Sequence, residues 1–400
     1  MSDGHRNRLR FFKLCAVFFA ALLSWAAVEI ALQLFDYPPR LRAGWRTLAP
    51  EVFQNQLGFR GRPIKYADDD FVIVLVGDSQ VEAGYSAGFE GIPETRLEQA
   101  LHQRGVTNAK VFSIGVDGWS QDQQLMALSE FYEDHGFRAD LVIVWETPYN
   151  DVWNNLFPNQ WVENSIPKPT FRLENGRLIE PRWKRIGEPM VSGIKTVATV
   201  QKLTDSQLRV MMSDKRWASQ YLPKPYVPLT TAVKPDLYWQ FLRDRRFGWM
   251  YIEDFTNDKN NYSIGMMPVS ARMKHGLELT NALLHEMRKL VEERGGEFMA
   301  FNVDTPTSRL YKQDKHEEPR DYQVDNRYYR YSFAQERSNI EQMNKGIRFR
   351  EIACTLEDWR VSEMDWHLNS RAIRHTMGCL ADALIDMYLV EPPTPANQTP

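Results

Sequence analysis

The sequence predicts an α/β protein: a doubly wound, flavodoxin-like parallel sheet of about five strands with helices on both faces, an irregular insertion and one N-terminal transmembrane helix. Continuous apolar, β-branched runs bounded by turn residues, beginning with residues 71–76, are typical of strands buried on both faces of a parallel sheet. These runs alternate along the chain with helical patterns, as crossover connections require. With 43% hydrophobic and 25% charged residues, the composition is that of a folded globular chain.

The first element is an apolar stretch at residues 14–35, whose 22 residues make about 33 Å of helix, enough to cross a bilayer core. Basic residues precede it and none follows until Arg40, so the positive-inside rule predicts a cytoplasmic N-terminus and an exported remainder. We expect an uncleaved signal-anchor; a cleaved signal peptide and a buried amphipathic helix are the alternatives. The basic residues are Arg6, Arg8, Arg10 and Lys13.

Strand and helix patterns continue through the rest of the chain. Helix starts are indicated by a first-turn Pro and by a Ser-x-x-Gln capping box, and helix ends by glycine. Short β-branched runs between the helices are typical of strands. The predicted elements, in chain order, are a strand at 71–76, a helix from Pro93 to Gly105, a strand at 110–114, a helix opened by Ser120 and Gln123, a strand at 141–145, a helix over 277–291, a strand at 298–303, a strand at 349–353 and a last helix over 372–384.

Two irregular segments interrupt this rhythm. Residues 155–270 are rich in Pro, Trp and charged residues and are predicted to be an insertion, and residues 304–335 are predicted to form a loop over the sheet rim. The predicted organisation is a cytoplasmic N-terminus at 1–13, a transmembrane signal-anchor helix at 14–35, a stalk at 36–70, an α/β domain at 71–154 and 271–390 with the insertion 155–270 between its parts, and a disordered Pro-rich tail at 391–400.

Charge and cysteine content exclude several classes of function. The 49 Lys and Arg residues nearly balance 52 Asp and Glu residues, which disfavours nucleic acid as a partner. Three cysteines are too few for a disulfide scaffold, and no Cys or His spacing matches a metal site, so no metal or cofactor is expected. In an oxidising compartment Cys354 and Cys379 can pair; two separate buried thiols are the alternative.

Polar residues follow the predicted strands where those strands end. Ser79 follows the first strand, Gly118 the second and Asn150 the third, at the edge where open α/β sheets bind ligands. There a serine can act as a nucleophile, and the N–H groups of Ser79 and Gly118 with the Asn150 amide can bind an oxyanion. His367 precedes the last helix, with Asp365 two positions away to orient its imidazole. Separately, each residue also fits a cap, a turn or a structural histidine.

Together these blocks resemble the SGNH (GDSL-type) hydrolase superfamily, and its membrane-anchored bacterial members in particular. The blocks are Gly77-Asp78-Ser79-Gln80, Gly115-Val116-Asp117-Gly118, Tyr149-Asn150-Asp151 and Asp365-Trp366-His367-Leu368-Asn369. The resemblance implies a nucleophile at Ser79, oxyanion donors at Gly118 and Asn150, and an acid–base pair at Asp365 and His367. The family's Asp-x-x-His is shortened to Asp-x-His, so a Ser–His pair with another acid, such as Glu363, is the alternative.

These observations lead to one hypothesis of function and one alternative. We expect a membrane-anchored serine esterase or O-acyltransferase acting on acyl esters, O-acetyl above all, of cell-envelope or extracellular polysaccharide or lipid. Its catalytic domain is expected in the bacterial periplasm or at the cell surface, and its membrane contact through residues 14–35. The alternative is an inactive scaffold of the same fold, binding a glycan or a biosynthetic partner through residues 155–270 and 304–335.

Overall fold

The computed structural model describes residues 3–34, 54–84, 88–159, 168–181, 207–227, 258–303, 319–324, 327–352, 356, 358–362 and 367–390. Its helices and strands, in chain order, are α1 (Asp3–Leu34), β1 (Phe71–Gly77), α2 (Ser79–Glu82), α3 (Pro93–Gln103), β2 (Ala109–Gly115), α4 (Gln121–Glu133), β3 (Leu141–Glu146), α5 (Pro148–Leu156), β4 (Arg172–Glu174), β5 (Arg177–Ile179), α6 (Gln207–Tyr221), β6 (Met266–Met267), α7 (Ala271–Glu292), β7 (Glu297–Val303), β8 (Arg320–Val324), β9 (Arg327–Tyr331), α8 (Phe333–Met343), β10 (Phe349–Ile352) and α9 (Ser370–Asp386).

A five-stranded parallel sheet with the order β2-β1-β3-β7-β10 forms the centre of the domain. This is the flavodoxin-like order, and the predicted fold class is confirmed. Gly77 at the end of β1 lies opposite Gly115 of β2, and Val76 lies opposite Val144 of β3. The carboxyl ends of these three strands therefore finish at one edge of the sheet.

Helices cover both faces of the sheet, and alternate residues of β1 bury against them. Val72, Val74 and Val76 belong to one core cluster together with apolar side chains of α4 and α7. Ile73 and Leu75 point the other way, into a second cluster with side chains of α3 and α9. Burying each such side chain stabilises the fold by about 1.5–3 kcal/mol. The continuous apolar run of β1 is thus explained by burial on both faces.

Helix α4 begins after Ser120 as predicted, but the predicted capping box is wrong. The Ser120 hydroxyl donates to Asp122 Oδ1 at 2.9 Å, and the same carboxylate oxygen accepts the N–H of Gln123 at 2.8 Å. Ser120 keeps the N-cap position, but Asp122, inside the first turn, accepts the Gln123 N–H that the sequence pattern assigns to the serine hydroxyl, because a carboxylate is the stronger acceptor.

Strand β2 lies at an edge of the sheet, and polar side chains bind its outward backbone groups. Asn55 Nδ2 donates to the carbonyl of Ser113 at 3.0 Å, and Arg62 Nη2 donates to the carbonyl of Val111 at 2.7 Å. The carboxylate of Glu98 accepts the Val111 N–H at 2.9 Å and also pairs with Arg62. These bonds occupy groups that would otherwise be open to another strand.

The segment that supplies Asn55 and Arg62 belongs to the domain, which corrects the predicted stalk at 36–70. Leu57, Phe59 and Ile64 are buried in the core cluster on the α4 side of the sheet. Their apolar side chains gain more by burial than a solvated stalk would allow. Residues 36–53 of the predicted stalk lie outside the described residues.

Both irregular segments contain regular structure that the sequence did not reveal. Within 155–270, β4 and β5 form an antiparallel hairpin, and α6 and β6 follow. The predicted loop at 304–335 is wrong for its second half, because β8 and β9 form an antiparallel sheet with β6. Tyr329 and Tyr331 of β9 are buried, so the Tyr-rich pattern reflects a half-buried strand.

Two buried ion pairs hold the insertion. Lys168 pairs with Asp122 of α4, and neither side chain has exposed surface. Lys259 pairs with Asp214 of α6, whose other oxygen accepts from Asn159 Nδ2 at 2.7 Å. Asp122 and Lys168 lie on opposite sides of the boundary between the α/β domain and the insertion, so this pair ties the two together.

Helix α1 contains one 20-residue segment, Phe12–Ala31, with a mean hydropathy of 2.1, long and apolar enough to cross a membrane. Its apolar side chains are exposed, Leu14 by 70% and Val17 by 68%, so the domain does not bury them. The predicted tail at 391–400 lies outside the described residues, as does Cys354, so the pairing of Cys354 with Cys379 stays a prediction.

Candidate active site

Ser79, the predicted nucleophile, is the first residue of α2 and lies at the carboxyl end of β1. Only 8% of the surface of Ser79 is exposed. Asp78 caps the helix: its Oδ1 accepts the N–H of Gln80 at 2.9 Å. Ser79 is therefore held at a tight strand-to-helix turn, and Asp78, not the serine, does the capping.

Glycines at two strand ends make room for α2. A Cβ on Gly77 would lie 2.5 Å from Cγ2 of Val81, and a Cβ on Gly115 would lie 2.9 Å from the backbone nitrogen of Glu82. Real side-chain contacts are never this short, so only glycine allows the backbone of α2 to lie against both strand ends. The Gly-Asp-Ser motif thus needs its glycine for packing.

The segment that carries His367 reaches the turn that carries Ser79. The N–H of Leu368 donates to Gln80 Oε1 at 3.3 Å, across 288 positions of sequence. His367 is half-buried, and its charge acts on the carboxylate of Asp78 and lowers the pKa of that group. Residues that immediately follow Ser79 and His367 are therefore in direct contact.

Backbone bonds fix the loop around His367. Its carbonyl accepts the N–H of Val361 at 3.0 Å, and the N–H of Asn369 donates to the carbonyl of Trp359 at 2.8 Å. The side chain of Asn369 then caps α9, accepting the N–H of Ala372 at 2.9 Å. His367 thus lies between a short bridged segment and a capped helix.

Gly118 and Asn150 lie on the two neighbouring loops of the same edge. Gly118 sits in the turn after β2 with φ +68°, and Asn150 sits in the first turn of α5 after β3. Asn154, one helical turn beyond Asn150, donates from Nδ2 to the carbonyl of Gly118 at 2.5 Å. On the other side, the N–H of Asp117 donates to Glu82 Oε2 at 2.6 Å. The loops after β1, β2 and β3 are therefore hydrogen-bonded to each other.

Buried carboxyl groups lie beneath this edge. Burial raises the pKa of Asp78 to about 6, against the lowering effects of the Gln80 N–H, the Thr147 hydroxyl and the charge of His367. Burial also raises the pKa of Asp151 well above its usual range, and the negative charge of Asp78 adds to that effect. Asp151 accepts from Gln121 Nε2 and from the Thr147 N–H, each at 2.8 Å.

Of the predicted site residues, Ser79, Gly118, Asn150 and His367 are at or next to this edge. Asp365 and the alternative acid Glu363 lie outside the described residues. A cleft of about 90 Å³ opens beside Gln80 and Leu368, towards β7 and β10. Other side chains that line it include Glu146, Tyr149, Asn302, Glu336 and Arg337.

Sequence reasoning missed three side chains that connect the site. Gln80 binds the loop that carries His367. Glu82 binds the Asp117 N–H in the turn before Gly118, and Asn154 binds Gly118 itself. One signal was readable: Asn154 is four residues after Asn150, which puts both amides on one face of a helix. The bonds of Gln80 and Glu82 span 288 and 35 positions and have no local signature.

Comparison with family models and with curated protein sequences found no match. Among solved structures, 15 chains are similar. A lipase from a goat rumen metagenome is 9% identical with a TM-score of 0.34, over 78% of this chain and 97% of that one. An acetyl xylan esterase from the rumen bacterium Butyrivibrio proteoclasticus is 9% identical with a TM-score of 0.35, over 82% and 66%. A carbohydrate acetylesterase family member from Sinorhizobium meliloti is 12% identical with a TM-score of 0.26, over 80% and 98%. The strand order and register of this chain establish its fold independently of these similarities.

Proposed function

We propose that this protein is a membrane-anchored serine esterase or O-acyltransferase of the SGNH type. The observation that carries the proposal is the contact between the residues that follow Ser79 and His367: the Leu368 N–H donates to Gln80 Oε1. An alcohol and an imidazole brought to one ligand-binding edge, beside clustered N–H groups, are the parts that acyl transfer requires.

The first half of the proposed reaction makes an acyl-enzyme. Ser79 Oγ attacks the carbonyl carbon of the ester while His367 takes the hydroxyl proton. The N–H groups of Ser79 and Gly118 and the amide of Asn150 donate to the oxyanion that forms. When the intermediate collapses, the bond to the leaving alcohol breaks and His367 returns the proton to that alcohol.

In the second half, water or an acceptor hydroxyl attacks the acyl carbon while His367 takes its proton; the bond from that carbon to Ser79 Oγ then breaks, and His367 returns the proton to Oγ. Water makes the protein an esterase, and a sugar or lipid hydroxyl makes it a transferase. Asp365 is proposed to orient His367, and Asp78 supplies a nearby carboxylate whose charge favours the imidazolium.

The proposed substrate is an O-acyl ester, O-acetyl above all, on cell-envelope or extracellular polysaccharide or lipid. The apolar helix α1, with its basic N-terminal flank, supports an anchor with the domain outside the cytoplasm, in a bacterial periplasm or at the cell surface. An enzyme tethered in this way works on substrates held at the same envelope.

Turnover of an aryl acetate by the full-length chain in detergent tests the proposal. Ser79→Ala is expected to lower the rate at least ~10³-fold, because it removes the hydroxyl that is proposed to form the acyl-enzyme. Ser219→Ala is the matched control, since Ser219 is an exposed serine of α6. Equal turnover by wild type and Ser79→Ala would show that the protein is not a serine esterase that uses Ser79.

Labelling with a fluorophosphonate separates an enzyme from an inactive scaffold, because only an activated serine reacts. The label is expected on the peptide that contains Ser79, at a rate that falls sharply in His367→Ala. No label on folded wild-type protein favours the scaffold that binds a glycan or a biosynthetic partner.

A further inference from the structure

We propose that Glu82 and Asn154 are positioning residues that hold Gly118 from both sides and so place its N–H for the oxyanion. The proposal rests on the proposed function and goes beyond it, because neither side chain belongs to the blocks that carry the resemblance. It stands on two hydrogen bonds between buried side chains and the turn after β2.

The turn itself is weakly held. Val116, Asp117, Gly118 and Trp119 lie between β2 and α4, and one backbone bond closes the turn, from the Trp119 N–H to the Val116 carbonyl at 3.1 Å. A positive φ at the third residue, here +68° at Gly118, is typical of a type II turn. The positive φ sets which way the Gly118 N–H points, but it does not set where the turn lies.

The two side chains fix the peptide planes on either side of that N–H. Glu82 Oε2 accepts the Asp117 N–H at 2.6 Å, which fixes the plane before Asp117. Asn154 Nδ2 donates to the Gly118 carbonyl at 2.5 Å, which fixes the plane after Gly118. The peptide between them carries the Gly118 N–H, which has no protein acceptor among the residues that the structure describes.

Each holding residue is buried and belongs to an element that carries another part of the site. Glu82 ends α2, which begins at Ser79, and Arg60 Nη1 binds the carbonyls of Glu82, at 3.0 Å, and of Ala83. Asn154 is fully buried on α5, one turn from Asn150. The three proposed oxyanion donors, Ser79, Gly118 and Asn150, are thereby linked through two side-chain bonds.

A donor displaced by about 1 Å from the oxyanion loses much of its effect, and one such donor is worth about 10²–10³-fold in rate. Glu82→Ala and Asn154→Ala are therefore each expected to lower kcat on an aryl acetate roughly 10²-fold at unchanged KM. Because the two bonds together position the one peptide that lies between them, the double variant is expected to lose about as much as either single variant. Glu82→Gln keeps an acceptor oxygen and is expected to restore most of the rate.

Glu98→Ala is the matched control. Glu98 is a buried carboxylate that also accepts a backbone N–H of the β2 chain, that of Val111, but far from the turn. The variant Glu98→Ala is expected to lower the melting temperature and leave kcat unchanged. Wild-type kcat in Glu82→Ala and Asn154→Ala, or an equal loss in the control, overturns the proposal; if Glu82→Ala does not fold, Asn154→Ala tests the same peptide.

Hydrogen exchange of the full-length chain keeps this inference separate from the proposed function. In Glu82→Ala the Asp117 amide loses its acceptor, so the peptide covering residues 116–119 is expected to exchange faster than in wild type and Glu82→Gln. If wild type and Ser79→Ala turn over ester equally, the proposed function fails. Hydrogen exchange alone then tests whether Glu82 holds the turn. Unchanged exchange in Glu82→Ala then overturns the holding role, and faster exchange supports it.

Discussion

Asp78 combines a structural and an electrostatic role in one side chain. Its Oδ1 accepts the Gln80 N–H and so begins α2 with Ser79 in place. Its charge also faces His367, and the attraction lowers the pKa of Asp78 against the stronger raising effect of burial. The two roles are separable, because Asn and Asp cap helices about equally well while only Asp carries charge.

Asp78→Asn is expected to lower kcat/KM on the order of tenfold, the effect of ~1.4 kcal/mol, and to move the acid limb of its pH profile to lower pH. Without the carboxylate, the imidazolium of His367 is less stable, so the free base persists to lower pH. The pH dependence of kcat/KM measures both effects. Asp382→Asn, which removes an exposed acid of α9, is the control; an acid limb that stays in place contradicts the prediction.

Three of the site residues that the sequence identified are placed by the ends of the strands. Ser79, Gly118 and Asn150 follow strands directly, and the ends of neighbouring parallel strands meet by necessity. Glu82 and Gln80 act through side chains that reach other loops, and the partner of each depends on packing that the local pattern does not encode.

Three of the strands that the sequence did not predict are very short. β4, β5 and β6 have two or three residues each, too few for a period of two to stand out. In contrast, β1, β2 and β3 are buried almost throughout, and β1 and β3 contain continuous apolar runs of five or six residues. The insertion docks through apolar side chains such as Phe157 and Phe171, which join the core cluster on the α4 side, and through the pair of Lys168 with Asp122.

Lys168→Met is expected to destabilise the protein by about 3–5 kcal/mol, because it leaves the carboxylate of Asp122 buried without its cation. Arg348→Ala is the control: it removes an exposed pair with Glu297 and is expected to cost less than about 1 kcal/mol. Denaturant unfolding of the two variants measures the difference. Equal costs would show that the buried pair does not hold the insertion.

The whole molecule buries several carboxyl groups whose pKa values are raised. Burial raises the pKa of Glu146 to about 8, of Glu94 to about 7, and of Asp78 and Asp258 to about 6. Burial is the largest effect on the pKa of each of these groups, and hydrogen bonds reduce it, while at Asp78 the charge of Asp117 adds to it. Burial lowers the pKa of His275, and this shift changes the pH dependence of stability in the opposite direction. The acids outnumber it, so they set the response of the fold to pH.

Stability is therefore expected to fall as the pH rises from about 5 to about 7. A carboxyl whose folded pKa exceeds its unfolded value binds more protons in the folded state, so each such group removes up to about 1.4 kcal/mol per pH unit between the two values. Melting temperatures across this range measure the trend. Glu146→Gln keeps an acceptor for Asn344 but cannot ionise, so its melting temperature should fall less steeply than that of wild type. Glu297→Gln changes an exposed acid and should keep the wild-type slope. A melting temperature that rises with pH would contradict the burial of these groups in their neutral form, since ionised, paired carboxylates give that opposite trend.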